Sequence, residues 1–214
     1  MCVPISKAMP DPALIALIMQ LRREGITDTR VLSAMEAIPR DAFVDEAQLS
    51  HAFDNRALPI ACNQTISQPS VVALMTQALG VSDRHMVLEI GTGSGYQAAI
   101  LSKLARRVHT VERHAPLHEQ ACARFEALKL HNITAHPGDG TKGWPHAAPY
   151  DRIMVTAAAA EIPHALLQQL RPDGVMVLPL GRDGGGQMLT RIHREGESFV
   201  KQTLGQVKFV PLVS

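Results

Sequence analysis

Three glycines spaced two apart, Gly91, Gly93 and Gly95 in VLEIGTGSGYQAA, with Thr92 and Ser94 between them, stand among three acidic residues, Glu89, Glu112 and Asp139. A glycine turn between a strand and a helix lets a ligand lie against bare backbone, and the first N–H groups of the helix add donors and a partial positive charge. The dinucleotide pattern G-x-G-x-x-G needs its third glycine at position 96, where Tyr96 stands, which counts against NAD. Glu112 lies 21 positions beyond Gly91 (112 − 91), at the end of the strand-like run VHTVE, where ribose hydroxyls need a carboxylate acceptor. Glu89 is an unfavourable neighbour for pyrophosphate and a tolerable one for a cationic amino-acid group. Asp139, in the turn Gly138-Asp139-Gly140, could accept from an exocyclic adenine amine. Each carboxylate alone reads as a solvated charge or a turn former, and the glycines alone as a tight turn. Together, at successive strand ends, they suit a nucleoside with positive charge and no phosphate, and S-adenosylmethionine is such a molecule.

These residues need elements to hold them. Asp11 and Pro12 start a helix over 11–24 that Gly25 ends, a second helix lies in DTRVLSAMEAI before Pro39, and a third is expected in RDAFVDEAQLSHA. DNRALPIACNQTISQP reads as loop, and Pro69 opens a helix closed by Gly80. Residues 1–80 are therefore a mainly helical N-terminal extension. Beyond Gly80 strands alternate with helices: HMVLEI, RVHTVE, NITAHPGD, DRIMVT and GVMVLPL, with helices from near Tyr96 (reaching Leu104), Pro116 and Pro163. That rhythm predicts an α/β fold, a doubly wound and mostly parallel Rossmann-like sheet with helices on both faces. QMLTRIHREGESFVKQTL reads as an antiparallel hairpin about Glu195-Gly196, giving an antiparallel C-terminal edge, and QVKFVPLV as one further strand. The run Gly184-Gly185-Gly186 reads as a flexible loop.

With 214 residues, 46% of them hydrophobic, and a net charge of +1, the chain reads as a single domain over 1–214 with a core of its own. Near-neutral charge gives no broad attraction to nucleic acid or membrane. Cys2, Cys62 and Cys122 are odd in number and lack CxxC spacing, which suits a reduced, cytoplasmic compartment. No export signal is expected at the N-terminus, and no run of about 18 apolar residues is available to span a membrane. His114 and His118 are one helical turn apart but lack the glutamate of HExxH, so no metal is expected.

The chain resembles the protein-L-isoaspartate O-methyltransferases, repair enzymes of the class I S-adenosylmethionine-dependent methyltransferase fold. The resemblance rests on PRDAFVDEA, NQTISQP, VLEIGTGSGYQAA, VERHAPL, HPGDGTKGW, YDRIMVTAAAAEIP, LRPDGVMVLPLG and FVPLV, in that order along nearly the whole chain. TISQP and VTAAA are specific to the family, whereas the glycine turn is shared among methyltransferases. This chain departs in lacking the glycine often seen before NQTISQP, in Thr141 after GDG and in Arg152 within an apolar strand. The resemblance implies methylation of the free α-carboxylate of isoaspartyl residues in proteins and peptides, with S-adenosyl-L-homocysteine as product and repair proceeding through a succinimide. It implies Ser67 as the catalytic residue, and Glu89, Gly91, Thr92, Gly93, Ser94, Gly95, Glu112, Asp139, Gly140 and Val213 as the cofactor site. It implies Thr65, Ile66, Ser67, Gln68, Pro69, Val210, Pro211 and Leu212 around the substrate, in a chain expected to act as a monomer.

Read without the family, Ser67 is an equally good candidate for capping the helix that Pro69 opens. Two other functions compete: a class I methyltransferase acting on a small-molecule or nucleic-acid acceptor, and a non-catalytic cofactor-binding protein. Thr156-Ala157-Ala158-Ala159 after the fourth strand would leave a nucleic-acid amine without hydrogen-bond partners, and retention of Ser67 within TISQP counts against loss of catalysis.

Overall fold

The computed structural model describes residues 11–181 and 186–213; Cys2 and all but the last glycine of the 184–186 run lie outside them. Helix α1 (Pro12–Arg23) begins where the Asp11 side chain accepts from Ala13 N, and it buries Leu17, Ile18 and Leu21 on one face. Asp28 caps α2 (Thr29–Ala37) in the same way. Pro69 opens α3 (Pro69–Leu79), which ends at Gly80 with a left-handed φ of 62°.

Two expectations for this extension change. The segment 40–51 holds two 3-10 turns, Arg40–Phe43 and Glu46–His51, separated by extended backbone at Val44 and Asp45, where one helix was expected. The buried Arg40 supplies the reason: its Nε donates to Ala52 O at 2.8 Å. A straight helix would set those residues about 18 Å apart at 1.5 Å per residue. The expected loop before Pro69 contains a short hairpin, β1 (Leu58–Ile60) paired with β2 (Gln64–Ile66). Its connection puts Cys62 and Asn63 at φ 58° and 55°, the left-handed region that glycine occupies at least cost.

Among the described residues the main sheet has seven strands: β3 (Met86–Ile90), β4 (Arg107–Glu112), β5 (Ile133–Pro137), β6 (Tyr150–Val155), β7 (Leu170–Leu180), β8 (Gln187–Glu195) and β9 (Ser198–Val207). Their order is β5-β4-β3-β6-β7-β8-β9, parallel through β7 and antiparallel at β8 and β9. The chain winds outward from β3 to β5 and then crosses to β6, so the switch point lies between β3 and β6. One face, through Val87, Val108 and Met154, packs on α1–α3 together with α4 (Tyr96–Ser102) and α5 (Ala115–Ala127). The other face, through Leu88, Ile90 and Val155, is covered by α6 (His164–Gln168), Trp144 and Ala147. Burial on both sides explains why the parallel strands read as continuous apolar runs rather than alternating ones.

The C-terminal segment also differs from expectation. β9 stops at Val207, and the residues beyond it cross the end of β6 with a single bridge, Ala158 to Pro211. Ala158 N donates to Val210 O and Leu212 N donates to Ala158 O, each at 2.8 Å. The buried Gln187 side chain completes the hold, donating to Phe209 O and accepting from Phe209 N. Small residues at 157–159 let the segment approach this closely.

Candidate functional site

A cleft opens at the carboxyl ends of β3, β4 and β6, where an open α/β sheet reverses its winding and binds its ligands. Its floor is the glycine turn. Gly91 N donates to Val111 O at 2.9 Å, tying the turn to β4. Gly91 has φ 93°, and a Cβ there would stand 2.5 Å from Thr156 Oγ1, so both conformation and space require glycine. Gly95, φ 91°, ends the turn at the start of α4, and a Cβ there would meet the Phe125 ring at 2.8 Å. The first packs the turn against β6, the second against α5.

Glu112 closes the turn from β4. Its Oε2 accepts from Gly93 N at 2.8 Å and its Oε1 from His114 N at 2.9 Å. Each oxygen keeps a lone pair after those bonds, and Glu112 lines the cleft, so it can accept from a vicinal diol. Glu89 is placed differently. It is 0% exposed, does not line the cleft, and accepts from Thr110 Oγ1, which in turn meets Thr92 Oγ1 at 2.6 Å. Burial pushes its carboxyl up to about 8, the Thr110 hydroxyl opposing and the charge of Glu112 adding. Beneath the turn therefore sits a largely neutral acid whose Oε1 has no partner among the described residues.

That placement has a consequence for stability. Glu89 is protonated in folded and unfolded chains alike below about pH 4.5, but between about 4.5 and 8 only the unfolded chain gives up the proton. The folded state binds more protons there, so its stability should fall as pH rises through that window. Glu89→Gln, which can keep the acceptor for Thr110, is expected to flatten that decline. Urea midpoints measured at about pH 5 and about pH 8 check it; parallel wild-type and variant profiles would remove Glu89 as the cause.

Asp139 caps the 3-10 turn Gly140–Lys142, its Oδ1 accepting from Thr141 N and Thr141 Oγ1. Those hydrogen bonds hold its carboxyl below the usual range. It does not line the cleft; its neighbour Gly140 does.

Above the glycine turn lies the β1–β2 hairpin, Ile60 being the nearest side chain to a Cβ built on Gly93. The hairpin carries Thr65, Ile66 and Ser67 onto the cleft wall. The capping role open to Ser67 belongs elsewhere: the N-cap of α3 is Gln68, and Asn55 Oδ1 accepts from Ser70 N at 3.0 Å. Among the described residues the Ser67 hydroxyl makes no hydrogen bond. The opposite wall is Val210–Val213, held at Val210 and Leu212 by Ala158 and, through the adjacent Phe209, by Gln187.

Beside the cleft is a second depression of about 750 Å³ that includes Gln68, Lys208 and Phe209. Thr65, Ser67, Thr156, Val210 and Pro211 line both spaces and form the ridge between them. Gly91, Thr92, Gly93, Ser94, Glu112, Gly140 and Val213 face the cleft, as do Ile66 and Leu212; Glu89, Gly95, Asp139 and Pro69 face neither space. Thr156 and Tyr96 also line the cleft, although the sequence reading assigned neither to the site. Thr156 follows the fourth parallel strand next to the switch point, a position that the strand-end rule could have marked. Tyr96 is buried against Phe43 and under the Arg40 guanidinium, 5.0 Å from ring centre to Cζ, which gives PRDAF a role in fixing the start of α4.

The donor set fits a cationic nucleoside: bare amides at the glycines, a carboxylate with free lone pairs at Glu112, and no full negative charge beneath the turn. Among the described residues no group of three potential metal ligands occurs, and no helix is long and apolar enough to cross a membrane.

A family model for protein-L-isoaspartate(D-aspartate) O-methyltransferase matches residues 14–214. A protein-L-isoaspartate O-methyltransferase of Paramagnetospirillum magneticum is 60% identical over 204 residues, covering 95% of each chain. That of Rhodospirillum rubrum is 55% identical over 201 residues, covering 93% of this chain and 92% of its own. A solved protein-L-isoaspartate O-methyltransferase superposes with a TM-score of 0.86 at 28% identity, over 94% of this chain and 66% of that one. A Plasmodium falciparum structure described as a beta-aspartate methyltransferase in complex with S-adenosyl-L-homocysteine superposes with a TM-score of 0.80 over 92% of this chain and 97% of its own. At 24% identity it speaks to the fold.

Proposed function

Because this chain belongs to the protein-L-isoaspartate(D-aspartate) O-methyltransferase family, we propose that its cleft holds S-adenosylmethionine and the depression beside it an isoaspartyl peptide, with Ser67 and Thr156 on the ridge where they meet. The activity is S-adenosylmethionine-dependent methylation of the free α-carboxylate of isoaspartyl residues, the step that commits a damaged linkage to repair through a succinimide. The observation that carries the residue assignment is the shared ridge, since group transfer requires donor and acceptor spaces to touch.

Bound S-adenosylmethionine supplies an electrophilic methyl group on a sulfonium. The chain's own residues supply placement. Glu112 and the amides of the glycine turn orient the nucleoside, and Gly140 and Val213 border it. The substrate α-carboxylate has a reference pKa of about 3.3 to 3.7 and is ionised at neutral pH, so no side chain has to remove a proton. Ser67, its hydroxyl free, donates to that carboxylate and orients it. Val210, Pro211 and Leu212 exclude water on one side, and Ile66 does so on the other, strengthening the attraction between the carboxylate and a cation. Thr65, Gln68, Lys208 and Phe209 border the peptide.

We further place the protein in the cytoplasm as a monomer and read the chain as one domain. Two observations bear on this: both core clusters lie on the one sheet, which suits a single domain, and Cys62 and Cys122 are free, which suits a reducing compartment. Methyl transfer from labelled S-adenosylmethionine to paired isoaspartyl and aspartyl peptides tests the function, with label expected only in the isoaspartyl member. Equal labelling of both would overturn the repair assignment.

A further inference from the structure

The ridge between cleft and depression carries three hydroxyls, and two of them differ in what their protons are doing. Thr156 Oγ1 lies 2.6 Å from Gly91 O and 2.9 Å from Ile90 O. Carbonyl oxygens only accept, so the single hydroxyl proton is spent on one or shared between both. What Thr156 shows to the surrounding space is lone pairs. Ser67 makes no hydrogen bond among the described residues, and its proton is free to be donated. Two hydroxyls on one ridge are thus set to opposite polarity, one an acceptor and one a donor.

We propose that Thr156 is a positioning residue for the charged end of the cofactor: its fixed acceptor attracts a cationic sulfonium and its polarised methyl C–H bonds, while Ser67 faces the carboxylate across from it. This inference rests on the reading of the cleft as the S-adenosylmethionine site and assigns the polarity of that site to one atom.

Three features of the structure support it. The Thr156 oxygen lies 2.5 Å from where a Cβ of Gly91 would be, so it stands at the bare edge of the turn rather than behind a side chain. Thr156 N donates to Ile90 O at 2.9 Å, which pins the backbone carrying this hydroxyl to β3, and the two carbonyl acceptors of Oγ1 keep its proton turned inward. No acidic side chain lines the ridge, so a cation arriving there finds its negative partial charge in Thr156 and the carbonyls behind it. A carboxylate would be repelled by the same atom, which helps confine the substrate anion to the Ser67 side.

A simpler role, a staple joining β6 to the glycine turn, predicts a different result, and the two ligands of the reaction separate them. S-adenosylmethionine and S-adenosyl-L-homocysteine differ by one methyl group and its positive charge. A lost staple should weaken both equally; a lost acceptor should weaken the cation more. Calorimetric affinities for both ligands are to be measured on wild type, Thr156→Val, Thr156→Cys and Thr156→Ser, with circular dichroism as the check on folding. Val removes the oxygen at nearly constant volume, Cys replaces it with a poor acceptor, and Ser restores it. In the folded member of the Val and Cys pair, S-adenosylmethionine is expected to lose about 3- to 10-fold more affinity than S-adenosyl-L-homocysteine, the scale of a charge-strengthened C–H···O contact. Ser should return the ratio to the wild-type value. Equal losses for the two ligands, or a Ser variant that leaves the ratio altered, would overturn the assignment to this oxygen. If wild type bound neither ligand, it would be the reading of the cleft that failed.

Discussion

Replacing Ser67 with alanine is expected to leave folding and cofactor affinity intact while kcat/KM for an isoaspartyl peptide falls about 10- to 100-fold, the loss of one orienting hydrogen bond worth roughly 1.5 to 3 kcal/mol to a charged acceptor. Folding should survive because Ser67 caps nothing: Asn55 Oδ1 serves Ser70 N at the start of α3. Cofactor affinity should survive because the nucleoside contacts assigned above lie across the cleft, at Glu112 and the glycine turn. Steady-state kinetics, calorimetry and urea denaturation on one preparation check the three parts. The rate should show no titrating base near neutrality, since the acceptor is already ionised. Trapping of a covalent adduct on Ser67 would overturn the positioning role in favour of nucleophilic catalysis. Isoaspartyl and aspartyl peptides carry a carboxylate one methylene apart relative to the backbone. A shift of about 1 Å in an attacking oxygen can cost roughly 100-fold in rate, so a ridge that holds the peptide at fixed distance discriminates without touching the isopeptide bond.

What the sequence could reveal depended on how far along the chain each cause lay. Val87–Ile90 and Ile153–Val155 are legible as buried strands because both faces of the sheet are covered, which leaves short apolar runs. The glycine turn and Glu112 are legible because the fold repeats its spacing between strand ends. The break at Val44 and Asp45 is not, since the Arg40 to Ala52 hydrogen bond that bends the segment forms only once both are buried. The β1–β2 hairpin alternates Leu58, Pro59, Ile60 correctly, but three residues a side are too few to stand out from loop. Glu89 looked like a charge beside a ligand; zero exposure and the Thr110 hydroxyl make it a buried, largely neutral support instead. The hold on the C-terminal segment escaped notice because it is made by one residue, Ala158, and by the Gln187 side chain on Phe209 rather than by a full neighbouring strand.

Glu112 should be where the cofactor is won or lost. Both of its oxygens already serve the protein, one on Gly93 N and one on His114 N, so the ligand would meet a carboxylate held rigidly by the loops it is to bridge. Glu112→Ala removes the acceptor for the ribose and frees two backbone donors at the cleft floor. Affinity for S-adenosyl-L-homocysteine is expected to drop about 10- to 100-fold, or roughly 1 to 3 kcal/mol, measured by calorimetry. Glu112→Gln should do little better, because an amide can accept at one oxygen only and turns its NH2 toward a backbone N–H at the other. Loss of affinity alone does not separate direct contact from a loosened turn, and a ligand with one ribose hydroxyl removed does. In wild type the 2′-deoxy form of S-adenosyl-L-homocysteine should bind more weakly than the parent. If Glu112 accepts from the diol, the same deletion should cost much less in Glu112→Ala, giving a coupling energy of at least about 1 kcal/mol. An undiminished deoxy penalty in the variant would mean that Glu112 only shapes the turn and that another group receives the ribose.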